Sequence, residues 1–140
     1  MYKKICALLT FIFGLSISVL ALAQPYPNKP IKFVIPFPAG GGTDIFARTV
    51  GQKLTENYKW TVIPENKPGA GGRMAAQALK ASAPDGLTYM IAPNATPVMQ
   101  TLLYPVEVLK YDMLKDLAPV AVLVTYPLAI AVNTQSGVKN

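Results

Sequence analysis

From Ile31 onward the chain switches repeatedly between two hydrophobic periods. "IKFVIPF" is a nearly continuous apolar run rich in β-branched and aromatic residues, which predicts a buried strand over Ile31–Pro36. From Thr43 the period lengthens: Phe46, Val50, Leu54 and Tyr58 recur four apart, with Ile45 and Ala47 beside them, and define one face of a helix. Thr43 is the expected N-cap, and Asp44 falls in the first turn, where negative charge suits the positive helix end. "WTVIPEN" predicts a second strand. "KPGAGG" then opens a second helix whose expected buried stripe is Met74, Ala75, Ala78 and Leu79, with Arg73, Gln77 and Lys80 outward.

"APDG", Ala83–Gly86, has the composition of a turn. It precedes a third strand, "LTYMIA", a polar loop, "PNATP", and a short helix near Val98–Leu103. "APVAVLVTYPLAIAVN", Ala118–Asn133, reads as two further strand-like runs broken near Tyr126 and Pro127. Strand and helix alternate throughout, which argues for an α/β fold with a parallel sheet and right-handed crossovers. The proline-rich lead-in "QPYPNKP" suits neither a ladder nor a helix interior, so structure is expected to begin just after it.

The first residues stand apart from this pattern. A basic "MYKK", an apolar run over Ile5–Leu22 and the small-x-small triplet Ala21–Ala23 read as a secretory signal peptide, Sec-exported and cleaved after Ala23, which is compatible with a periplasmic mature chain. The alternative is an uncleaved anchor, because about 18 apolar residues just span a bilayer. Loss of Lys3 and Lys4 lowers the formal net charge from +6 to +4. The remaining basic residues are scattered and form no stripe with interleaved aromatics, which argues against nucleic acid as a partner. Cys6 leaves with the signal, and the chain has no histidine. The mature chain therefore lacks a disulfide, a thiol nucleophile and the usual metal sites, and neither a Ser/His nor a Cys/His pair is available. No cofactor is implied.

What remains is the chemistry of the loops. In open parallel sheets ligands sit beyond the carboxyl ends of the strands, where "PAGGGTD" and "KPGAGGR" both fall. A helix starts with backbone N–H groups that have no intrahelical acceptor, and bare glycines let a carboxylate or phosphate approach them. Asn94 and Thr96, at the exit of the third strand, offer an amide and a hydroxyl to the same anion. Each loop taken alone is equally compatible with simple turn geometry, and Asn94 and Thr96 with simple caps. Arg73 is a candidate anion partner or a solvated surface arginine, and Tyr26, Phe37 and Tyr104 are candidates for a pocket wall or for the core. A Rossmann-like enzyme or nucleotide site on these loops is the alternative function. Neither the G-x-G-x-x-G spacing nor a G-x-x-x-x-G-K-[ST] run is present to support it.

Taken together, "YPNKPIKFVIPFPAGGGTDIFAR", "ENKPGAGG", "APDGLTYMIA" and "LYP…YDMLKDLAPV" resemble, in order and spacing, the amino-terminal lobe of the Bug family, the substrate-binding receptors of tripartite tricarboxylate transporters. The resemblance implies a type II periplasmic binding protein fold: two α/β lobes, each Rossmann-like, that close on a small organic carboxylate and deliver it to integral-membrane permease subunits without chemistry. It also implies a ligand site on Phe37, Ala39, Gly40, Gly41, Gly42, Thr43 and Asp44 of the first loop, Gly71 of the second, and Asn94, Ala95 and Thr96 of the third. Pro97 stands where the family often has a histidine, Gln100 where it has an asparagine, and Arg73 where a small polar residue is common. The implied organisation is a signal peptide over 1–23, a single lobe over 24–133 and the start of a hinge over 134–140. Members are roughly twice this size. A fragment or a non-functional truncated lobe is therefore among the expectations.

Overall fold

A computed structural model describes residues 25–127, 129 and 131–137. The predicted signal peptide and its cleavage point lie outside the described residues. The ordered chain opens with β1 (Ile31–Ile35), α1 (Gly42–Tyr58) and β2 (Val62–Asn66). A tight turn over Ala70–Gly72 leads into α2 (Arg73–Lys80), which is followed by β3 (Thr88–Met90). A wide helical turn over Ala95–Met99 then runs into α3 (Gln100–Leu103), and two short helices follow, α4 (Val106–Leu109) and α5 (Met113–Asp116).

The strands form one parallel sheet in the order β2-β1-β3, with Ile31 opposite Val62, Ile35 opposite Asn66, and Lys32 opposite Thr88. The central strand is covered on both faces. Ile31, Phe33 and Ile35 pack with Ala47 of α1 and with Leu87 in one layer, closed by Val50, Leu54, Trp60 and Val62. On the other side Ala76 of α2 packs with Leu109 and Tyr111, joined by Met90 and Leu117. Alternation along a strand sends Val34 to the opposite face from Phe33, and Val34 is buried too. This is why β1 carries no clean polar face.

The helices approach the sheet through their small residues, which keeps Ala47, Val50 and Leu54 of the first predicted face and Ala75 of the second against the core but corrects Ile45, Tyr58 and Met74. In α1 the buried line is Asp44, Ala47 and Gly51, whereas Ile45 and Tyr58 are exposed at 58% and 60%. Gly51 lies against Val62, whose Cγ1 would stand 3.0 Å from an added Cβ, so the helix axis comes close there and the larger side chains flank the contact. Tyr58 instead stacks on Trp60, ring centroids 5.1 Å apart. In α2 the buried pair is Ala75 and Ala76. Met74 is exposed, and Gln77, expected outward, is half-buried and donates to the Leu109 carbonyl at 2.8 Å.

Three further expectations are corrected. Thr43 does not cap α1: Gly41 occupies the cap position, and Thr43 is already inside the helix. The stretch read as a polar loop becomes helical at Ala95. Among the described residues of the stretch 118–133 there is no strand: Val120, Val122, Val124 and Tyr126 are exposed, without a sheet neighbour to satisfy a strand-like sequence. Residues Thr134–Ser136, in the segment read as a hinge, form a single tight turn.

Candidate functional site

The chain runs from β1 to β2 on one side and then crosses to β3 on the other. Strand order therefore reverses at β1, and the carboxyl ends of β1 and β3 are where a parallel sheet of this kind is expected to hold a ligand. Three loops meet there.

The first loop begins at buried Pro36 and half-buried Phe37, then runs exposed from Pro38 to Gly42. Gly40 adopts φ +83°, a left-handed turn that frees the chain to enter α1. The first α1 hydrogen bond is donated by the Ile45 N–H to the Gly41 carbonyl at 3.0 Å. The N–H groups of Gly42, Thr43 and Asp44 precede that bond and have no carbonyl one turn back. A Cβ built on Gly42 meets nothing within 4 Å, so the protein itself does not require glycine there.

Asp44 organises this loop. It is 2% exposed, yet its carboxylate is fully engaged. It accepts from the Gly40 N–H at 2.8 Å, from Arg48 Nε at 2.9 and 3.0 Å, and from Asn66 Nδ2 at 2.9 Å. Asn66 Nδ2 also donates to the Phe37 carbonyl at 3.0 Å, and Arg48 Nη2 donates to Asn66 Oδ1 at 3.2 Å. Hydrogen bonds from Arg48 first, then from Gly40 and Asn66, hold the Asp44 carboxyl well below the usual carboxylate range. The carboxylate is ionised and turned inward.

The second loop carries four successive residues with left-handed φ: Gly69 at +128°, Ala70 at +49°, Gly71 at +64° and Gly72 at +90°. Gly72 is buried where all three loops converge. A Cβ there would overlap the Thr96 methyl and stand 3.1 Å from the Pro36 Cβ. Gly71 is exposed and presents its carbonyl to Gln100 Nε2 at 3.4 Å. Arg73, weighed above as an anion partner, donates from Nε to the Ala70 carbonyl at 3.0 Å and lies 4.5 Å above the centre of the Tyr104 ring. Its guanidinium braces the second loop against Tyr104, the residue that follows α3.

In the third loop Thr96 is 4% exposed, with its N–H on the Pro93 carbonyl at 3.0 Å. Asn94 and Ala95 are exposed at its rim, and the Asn94 side chain makes no capping bond. Tyr26, a candidate pocket wall, lies at the opposite end of the sheet, where its hydroxyl donates to the Gly86 carbonyl at 2.7 Å and pairs with the Tyr89 hydroxyl at 2.9 Å. That pairing raises its pKa to about 12. A depression of about 250 Å³ lined by Tyr26, Asn28, Lys29, Asp85 and Leu87 belongs to that end and not to the glycine loops.

Sequence reasoning placed the three loops together but passed over Asn66 and Arg48. The signals were an asparagine closing an otherwise strand-like run, and an arginine one helical turn after Asp44.

Residues 46–140 match the family model described as tripartite tricarboxylate transporter family receptor. The chain is 42% identical over 120 residues to a UPF0065 protein of Bordetella bronchiseptica, covering 86% of this chain and 35% of that protein. It is 34% identical over 127 residues to the protein BugT of Bordetella pertussis, covering 87% and 39%. Among solved structures it resembles MatC of Rhodopseudomonas palustris with bound malate, at 33% identity and TM-score 0.58, over 65% of this chain and 30% of that one. The chain thus spans little more than a third of the length of these curated relatives.

Proposed function

Since the chain belongs to the tripartite tricarboxylate transporter receptor family, we propose that it forms the amino-terminal lobe of a periplasmic receptor. The lobe captures a small organic carboxylate between the loops that follow β1 and β3, and the receptor passes it to integral-membrane permease subunits. Membership in a receptor family sets aside the enzymatic reading of the same loops.

The observation that carries this reading is Gly42. It opens a 17-residue helix, its amide precedes the first intrahelical bond, and nothing of the protein occupies the space a side chain would fill. A carboxylate seated there meets the N–H groups of Gly42 and Thr43 at the positive end of the helix dipole. In this reading Phe37 and Ala39 flank the ligand on the first loop, and exposed Asn94 offers its amide from the third. Asp44, Gly71 and Thr96 support the loops: the first is consumed by internal hydrogen bonds, Gly71 accepts from Gln100 at an exposed turn, and Thr96 packs on Gly72 where the loops meet. The malate bound by MatC supports a small carboxylate as the ligand.

Titration of the ¹⁵N-labelled mature chain with malate, citrate, adipate and acetate tests the proposal, because amide shifts report even millimolar binding. Saturable shifts at Gly40–Thr43 and at Asn94 are expected with at least one di- or tricarboxylate. Shifts confined to other regions, or none with any of the four, would overturn it.

A further inference from the structure

We propose that Asn66 and Arg48 are positioning residues for anion binding: they lock the Asp44 carboxylate, and through it the Gly40 amide, so that the first loop is set before a ligand arrives. The inference rests on the receptor reading above and extends it to residues that lie behind the loop.

Asn66 closes β2, directly opposite Ile35 at the end of β1. From there one Nδ2 group donates both to the Phe37 carbonyl, where the loop starts, and to Asp44 Oδ1, where the helix begins. The two ends of the glycine segment are thereby tied to one side chain of the neighbouring strand. Arg48 has a different task. A buried carboxylate close behind the α1 amides would repel any anion they are meant to attract. Arg48 Nε contacts both Asp44 oxygens while the rest of the guanidinium reaches solvent and Asn66 Oδ1, so the charge is cancelled where it arises. The planar fork allows one group to meet both the carboxylate and the asparagine, a geometry a lysine ammonium does not reproduce. Arranged this way, loop amides with their orientation already fixed lose less freedom on binding.

The test uses the ¹⁵N-labelled mature chain with malate as probe, and variants Asn66→Ala, Arg48→Met, Arg48→Lys, Asp44→Asn and the double variant Asn66→Ala/Asp44→Asn. Asn66→Ala is expected to displace the ligand-free amide signals of Gly40 and Gly42, leave those of Ala76 and Tyr89 in place, and weaken malate binding about tenfold, as loss of a supporting partner commonly does. In the Asp44→Asn background it should cost less than in the unsubstituted chain, since the two share one contact, but not nothing, because Asn66 also holds the Phe37 carbonyl. Arg48→Lys should retain part of the affinity that Arg48→Met loses. Unchanged Gly40 signals and malate affinity in Asn66→Ala would overturn the proposal, as would effects of Asn66→Ala and Asp44→Asn that simply add. Failure of the unsubstituted chain to respond to malate counts against the receptor reading instead, and the ligand-free Gly40 signal still decides whether Asn66 sets the loop.

Discussion

Gly72 and Thr96, one from each of two loops that leave different strands, are packed so closely that an added Cβ on the glycine would overlap the threonine methyl. The contact is backed by Pro36 at the end of β1, so all three loops meet there. Gly72 is also at φ +90°, which a side chain disfavours even in open space.

Gly72→Ala should therefore be costly. Backbone strain and overpacking each contribute about 1–3 kcal/mol, and neither neighbour is a flexible chain end able to yield. Urea unfolding is expected to show a loss of at least about 2 kcal/mol. A loss under about 0.5 kcal/mol, the usual range for a surface change, would mean that the loops are not packed as described.

Gly42 gives the opposite pattern. Its φ is not left-handed and its Cβ direction is empty, so Gly42→Ala should leave the fold intact or stabilise it by up to about 1 kcal/mol, as alanine does within a helix. The same methyl would stand over the amides proposed to receive the carboxylate. Malate-induced amide shifts should weaken severely while the urea midpoint holds or rises. Retained affinity would place the ligand elsewhere.

The Asp44 carboxyl has a pH signature whose direction follows from its partners. Its folded pKa is held below the unfolded value near 3.8 by Arg48, Gly40 and Asn66. Below that value the unfolded chain binds the proton more readily than the folded one, so the contribution of Asp44 is complete above it and is lost as pH falls further. Subtracting the stability of Asp44→Asn from that of the unsubstituted chain isolates this group from Glu56, Glu65, Asp112 and Asp116, whose pKa values are lowered as well. The difference should be flat from pH 5 to pH 7 and should shrink steadily below about pH 4. A difference that changes instead between pH 5 and pH 7 would contradict the bonded carboxylate.

The sheet and its loops could be read in the sequence because their causes are local. An apolar run ending in adjacent glycines and followed by a period of four needs only neighbouring residues to announce a strand, a turn and a helix, and β1 with α1 follows that reading. Asn66 escaped because its importance arises from pairing with Phe37 and Asp44, 29 and 22 residues away. The stretch 118–133 misled for a related reason: its alternation suits a strand, but a strand exists only beside another that offers hydrogen bonds. The helix faces were only partly legible: Ala47 and Ala75 were placed correctly, but hydrophobicity taken as the guide put Ile45, Tyr58 and Met74 inward, whereas closeness of approach selected Gly51 and Ala76.

That last distinction can be tested by two substitutions on one helix. If α1 buried the face its large side chains suggest, Ile45→Ala would open a cavity and cost about 2–5 kcal/mol, while Ala47→Leu would merely extend an apolar surface. The structure reverses the order. Ile45 is 58% exposed, so its truncation should change stability by less than about 1 kcal/mol. Ala47 is fully buried against Ile31, Phe33 and Ile35, so adding three carbons there should cost about 1–3 kcal/mol by forcing α1 away from β1. Because α1 also carries the Gly42 and Thr43 amides, that displacement should weaken malate binding as well, linking the packing of the helix to the site at its start. Equal costs for the two variants, or a larger one at Ile45, would show that the helix is rotated from the orientation described.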